Sequence, residues 1–186
     1  MPRRQRSTIK HYSEQEIDRF FRVIDSPRDR AIFRLMYHRG LRASEIALLQ
    51  VSDVDLSADK IEITRLKGST GGLYHMCRSE RLAVHAWIRK RGTAPGPLFC
   101  TNRGQGPSRQ YIDKLMRHYG GLANLPEDRR HAHVLKHSCA THLFNRGESL
   151  EDVQDHLGHR NIQNTLVYAA FTNQRRQARE RRLDAW

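Results

Sequence analysis

The chain has 186 residues, with 33 Lys and Arg against 20 Asp and Glu and a formal net charge of +13. That suits one ordinary domain with a real core and makes a polyanion the first partner to expect. The longest apolar run, residues 166–171, is far short of the roughly 18 residues a spanning helix needs, and no apolar h-region follows the basic opening residues, so neither a membrane nor a secreted product is expected.

Residues 1–12 are basic and polar, with Arg3, Arg4, Arg6 and Lys10, and read as a flexible arm, order beginning at Ser13. Ser13 and Glu16 form a capping-box pattern ahead of Ile17, Phe20, Phe21 and Ile24 at helical spacing. A second helix starts at Ser26-Pro27, buries Ile32, Leu35 and Met36, and ends at Gly40; a short third one carries residues 44–49. Residues 60–66 alternate with period two, the turn-rich 68–72 follow, and 73–77 run extended again, which predicts a β-hairpin. Ser79 is the expected cap of a helix containing Leu82, Ala86, Trp87 and Ile88, and Ser108 of one that turns Tyr111, Ile112, Leu115 and Met116 inward. Helices at about 134–146, 149–156 and 162–169 are punctuated by Gly147 and Gly158, and residues 171–186 form a basic tail. The fold class is therefore mainly α with a small antiparallel β-sheet, with residues 13–170 as the domain.

Cys77, Cys100 and Cys139 are odd in number and form no CxxC, so neither a disulfide framework nor a thiolate zinc site is expected, and the chain reads as cytoplasmic. Among 11 histidines, His131, His133, His137 and His142 fall close together. His133 and His137 lack the intervening glutamate of a HExxH site and any Cys or carboxylate at ligand spacing, so no metal or cofactor is expected.

The cluster belongs to a longer series. His133-Val134-Leu135-Lys136-His137-Ser138-Cys139-Ala140-Thr141 is followed by Leu157-Gly158-His159 and, nine residues after that histidine, by Tyr168. Upstream stand Gly40-Leu41-Arg42-Ala43-Ser44-Glu45-Ile46 and the hairpin-turn pair Lys67-Gly68. Together these boxes resemble the tyrosine recombinase (phage integrase) family, with its H-x-L-R-H-x-x-A-T, L-G-H, G-L-R-x-S-E-L and hairpin-lysine signatures. The resemblance spans roughly residues 13–175.

It implies a site-specific recombinase acting on double-stranded DNA as a homodimer or tetramer, with Tyr168 attacking phosphorus and leaving a 3′-phosphotyrosyl link. Arg42, His133, Lys136 and His159 would clamp the phosphate and Lys67 would protonate the leaving oxygen. Each residue also has a plainer reading. Arg42 could pair with Asp29 or Glu45, Lys67 could be a solvated turn lysine, His159 a capping cation at a helix end, and Tyr168 a core aromatic. Lys136 departs from the family pattern, replacing a planar bidentate guanidinium with a compact ammonium. The chain also reads as a catalytic-domain-only member. The tail arginines Arg175, Arg176, Arg179, Arg181 and Arg182 are candidate phosphate contacts or a solvated basic helix, and Leu183 and Trp186 are candidate anchors on a neighbouring protomer. A DNA-binding regulator that has lost its chemistry and a type IB topoisomerase are the competing functions.

Overall fold

A computed structural model describes residues 9–66, 69–101 and 104–169. Eight α-helices are described: α1 (Glu14–Arg22), α2 (Pro27–Arg39), α3 (Ala43–Ile46), α4 (Arg78–Arg91), α5 (Arg109–Leu122), α6 (His133–Asn145), α7 (Leu150–Leu157) and α8 (Gln163–Ala169). Strands β1 (Val54–Asp55), β2 (Lys60–Ile63) and β3 (Gly72–His75) form one antiparallel sheet in the order β1-β2-β3, with Ile61 opposite Tyr74 and Ile63 opposite Gly72. None of the described helices is long and apolar enough to cross a membrane.

Two helices form the centre. The seven residues 31–37 of α2 include six buried ones, and α6 buries side chains around most of its circumference, from Val134 and Leu135 to Ala140 and Phe144. A helix buried on all sides must be enclosed by others: α2 packs on α4 and α6, and α6 packs on α7 and α8. Phe20 of α1 meets Phe33 of α2 edge to face, with ring centroids 5.1 Å apart. The Ser13–Glu16 capping box is formed, and Ser26, Ser108 and Ser149 each cap a helix through the side-chain oxygen.

Several boundaries move from the sequence reading. Packed chain begins before Ser13: Tyr12 is fully buried, its amide donating to Ser138 Oγ at 2.8 Å and its hydroxyl to the Arg129 carbonyl at 2.7 Å. The cap of α4 is Cys77, not Ser79. Glu80 closes that end by accepting from the Cys77 amide at 2.8 Å, while Ser79 Oγ instead meets His38 Nε2. Glu80 also takes two bonds from Arg39, at 2.7 and 2.6 Å, which fixes α4 to α2. Leu82 is 57% exposed, and Ala83, Val84 and Ile88 form the buried stripe in its place. Helix α3 stops at Ile46, three residues early, and β1 is a strand with too few residues to show a period. The regular pairing of β2 ends at Ile63, so Arg65 lies on an irregular arm.

Candidate active site

Helix α2 ends at Gly40, whose φ of +57° is the left-handed conformation that glycine adopts without strain. A Cβ there would lie 2.4 Å from Leu157 Cδ2 and 3.6 Å from Lys136 Cγ. The glycine thus brings the chain against α6 and α7 and delivers Arg42 beside them. Helix α7 ends in the same way at Gly158, φ +64°, and delivers His159. The hairpin arm closes over this second end: the Thr70 amide donates to the Gly158 carbonyl at 3.0 Å and Ser69 forms an isolated bridge with His159.

Arg42 donates from Nη1 to Glu45 Oε1 and to Ser69 Oγ, both at 2.8 Å. Of the two partners considered for it, Glu45 is the one found, whereas Asp29 is paired with Arg28. A third of the Arg42 side chain remains exposed, so the guanidinium keeps a face toward solvent while the fully buried Glu45 holds it from behind.

Lys136 is buried on α6 and donates to the Leu157 carbonyl at 3.2 Å. Burial, with Arg42 and Arg65 adding repulsion, pushes its pKa from 10.5 down to about 7. His159 is also buried, with Nδ1 2.9 Å from Thr165 Oγ1, and burial next to Lys136 and Arg42 lowers its pKa to about 4. Burial thus favours the neutral ring at physiological pH, which speaks against a charged cap at the end of α7. In the tautomer in which Nδ1 accepts from Thr165, Nε2 carries the donor proton. His133 is the first residue of α6 and is exposed; partial desolvation and then Arg109 and His131 lower its pKa.

Tyr168 is 4% exposed on α8, and its hydroxyl lies 2.7 Å from Nδ1 of His137. Desolvation raises its pKa to about 12, with Arg42 acting in the opposite direction, so the phenol is protonated. His137 is held neutral by burial, and by His133 and His131 nearby, at about 4. The sequence marks His137 only as part of a motif; its contact with Tyr168 spans 31 residues and comes from the packing of α8 on α6.

The structure thus gathers Arg42, Lys136, His159 and Tyr168 where α2, α6, α7 and α8 meet, with His133 at the edge. Glu45, Ser69, Thr165 and His137 hold them in place; of these four the sequence offers Glu45 as a partner for Arg42 and His137 as a motif residue without a partner. Lys67, Arg175, Arg176, Arg179, Arg181, Arg182, Leu183 and Trp186 lie outside the described residues. A cluster of buried donors whose arginine also bears on the charge of a tyrosine suits a reaction in which negative charge grows on phosphoryl oxygens.

The model of the phage integrase family matches residues 10–175. The chain belongs to that family. This integrase-family chain is 35% identical over 148 residues to the type 1 fimbriae regulatory protein FimE of Escherichia coli K12, covering 77% of itself and 74% of FimE. To the tyrosine recombinase XerD of Yersinia pestis it is 33% identical over 178 residues, 89% of its own length and 59% of XerD. The crystal structure of XerA recombinase superposes with a TM-score of 0.80 at 25% identity, over 92% of this chain and 64% of XerA. The chain therefore spans less than two thirds of XerD and of XerA. A post-cleavage complex of XerH site-specific recombinase bound to palindromic difH substrate shares the fold, with a TM-score of 0.78 at 24% identity over 92% of this chain and 52% of XerH.

Proposed function

We propose that this chain is a site-specific DNA recombinase that cuts and rejoins one strand at a time through Tyr168. The observation that carries this reading is that Arg42 bears electrostatically on Lys136, His159 and Tyr168 alike, while Tyr168 bonds His137, the residue after Lys136 on α6. In the reaction, the Tyr168 oxygen forms a bond to phosphorus and the bond from phosphorus to the 5′ oxygen breaks. The product is a 3′-phosphotyrosyl link and a free 5′-hydroxyl, and the bond energy stored in that link allows rejoining without ATP. Arg42, Lys136, His133 and His159 stabilise the charge on the non-bridging oxygens. Lys67 protonates the departing oxygen, and the proton leaving Tyr168 has Nδ1 of His137 as its hydrogen-bond partner. These roles are filled by side chains, so we assign no metal or cofactor to the reaction.

Double-stranded DNA is the partner that the +13 charge and the family membership support, and a cytoplasmic location goes with that substrate. Exchange between two sites calls for a dimer or tetramer. The catalytic domain includes the packed residues around Tyr12 and runs to residue 170, the basic arm is the stretch ahead of them, and the tail arginines Arg175, Arg176 and Arg179 add phosphate contacts.

The test is incubation with a nicked suicide DNA carrying the target site, followed by denaturing electrophoresis. A covalent adduct is expected from the wild type, none from Tyr168→Phe, and DNA binding should be the same in both. No wild-type adduct on its own site would leave a DNA-binding regulator, and relaxation of supercoils without paired sites would indicate a topoisomerase. Adduct yield should survive EDTA; a drop restored by magnesium or zinc would assign a metal to the site.

A further inference from the structure

The hairpin arm beyond β2 carries an arginine that none of the sequence motifs includes. The Arg65 side chain has no exposed surface, and its Nη2 donates to two main-chain carbonyls, Arg39 O at 2.8 Å and His156 O at 3.0 Å. These are the last turns of α2 and α7. Each of those helices ends on a left-handed glycine, and three residues beyond each carbonyl stands a phosphate-directed group: Arg42 after Arg39, His159 after His156. One nitrogen therefore joins the two helix ends on which the site is mounted.

The rest of the guanidinium faces the same site. Nη1 is 3.7 Å from Glu45 Oε2, and Glu45 is the carboxylate that accepts from both the main-chain amide and Nη1 of Arg42, each at 2.8 Å. The stem passes beneath the second glycine: a Cβ on Gly158 would lie 2.6 Å from Arg65 Cδ and 2.7 Å from Nε. Nε and Nη1 make no hydrogen bond of normal geometry among the described residues, although Tyr74 lies close enough to interact with the guanidinium. A buried cation that shares its single counter-ion with another arginine and leaves two of its three nitrogens without a well-formed bond is a poor device for stability alone, because desolvation outweighs what the pairing returns. The arrangement makes sense if what Arg65 contributes is geometry.

We propose that Arg65 is a positioning residue of the strand-cleavage site, a buried strut that joins the ends of α2 and α7 and so holds Arg42 and His159 at one phosphate. This rests on the recombinase reading above. It assigns to the hairpin arm a second task besides carrying Lys67.

The test measures single-turnover adduct formation on suicide DNA, DNA affinity and thermal melting for the wild type, Arg65→Gln and Arg65→Lys. Cleavage at saturating DNA should fall on the order of 10²-fold in Arg65→Gln, the cost of a misplacement of about 1 Å, while Kd stays within about threefold. Arg65→Lys should also cleave at least about tenfold more slowly, because its ammonium stops one bond short of the Nη2 position. Combining Arg65→Gln with His159→Gln should cost less than the product of the two single effects, since Arg65 acts partly through His159. Adduct from the wild type and undiminished adduct from a folded Arg65→Gln or Arg65→Lys would overturn the Arg65 assignment alone. So would effects that multiply with His159→Gln, or failure of both Arg65 variants to fold, which would make Arg65 a residue of the fold. Absence of adduct from the wild type would remove the recombinase reading and this one with it.

Discussion

Lys136 offers a test in which stability and activity should move in opposite directions with pH. Its pKa is pushed from 10.5 to about 7 by burial beside Arg42 and Arg65, a charging cost on the order of 5 kcal/mol at about 1.4 kcal/mol per pH unit. The unfolded chain keeps that proton up to about 10.5 and the folded chain only to about 7, so between these values the unfolded state binds more protons. Stability therefore rises as pH increases across that window, and the full cost is present below it. Lys136→Met should raise the melting temperature at pH 7 and flatten its pH dependence from 7 to 10. With the ammonium serving the phosphate as proposed, cleavage should fall over the same range. Lys136→Ala should cleave on the order of 10²-fold more slowly, as when one oxyanion donor is removed. Lys136→Arg remains charged throughout, so the ratio of wild-type to Lys136→Arg rates, taken at subsaturating suicide DNA, cancels the titration of every other group. With a free-enzyme pKa near 7 that ratio should drop about 90-fold from pH 6 to pH 9. A ratio constant over that interval would refute the argument that the charge on Lys136 serves the phosphate.

His38, His137 and His159 are each lowered to about 4, chiefly by burial. The unfolded chain takes up these protons below its ordinary pKa near 6.5 and the folded chain does so only near 4, so stability should decline as pH falls from 6.5 to 4. A melting temperature unchanged between pH 7 and 4.5 would contradict this. Gly158→Ala places a methyl 2.6 Å from Arg65 Cδ and from the Thr70 carbonyl at a φ of +64°, and should lower unfolding free energy in urea by about 1–3 kcal/mol and suppress adduct. Removal of residues 171–186 should weaken DNA binding and make the plot of log K against log salt shallower by about 0.9 for each phosphate that the tail neutralises. An unchanged slope would assign the tail to a role away from the phosphates.

Most of the elements, and the linear spacing of the proposed site residues, are legible in the sequence alone. The capping serines at 13, 26 and 108 and the stop glycines at 40 and 158 act over one turn of chain, so their effect is readable from neighbours alone. The spacing from His133 through Lys136 and His159 to Tyr168 carried the family resemblance for the same reason: it is a property of one linear string. The rest of the site depends on contacts between distant segments, which no linear string displays. Arg65 sits in a stretch whose alternation predicts a strand, yet its burial depends on carbonyls 26 and 91 residues away. Ser69 reaches Arg42 across 27 residues, and His137 reaches Tyr168 across 31. Periodicity reports which face of an element is apolar and is blind to which distant chain end arrives against it. Burial has the same origin: whether Lys136 is a solvated ammonium or one with a pKa near 7 is set by the helices that close around α6, because desolvation belongs to the assembled fold and not to the lysine.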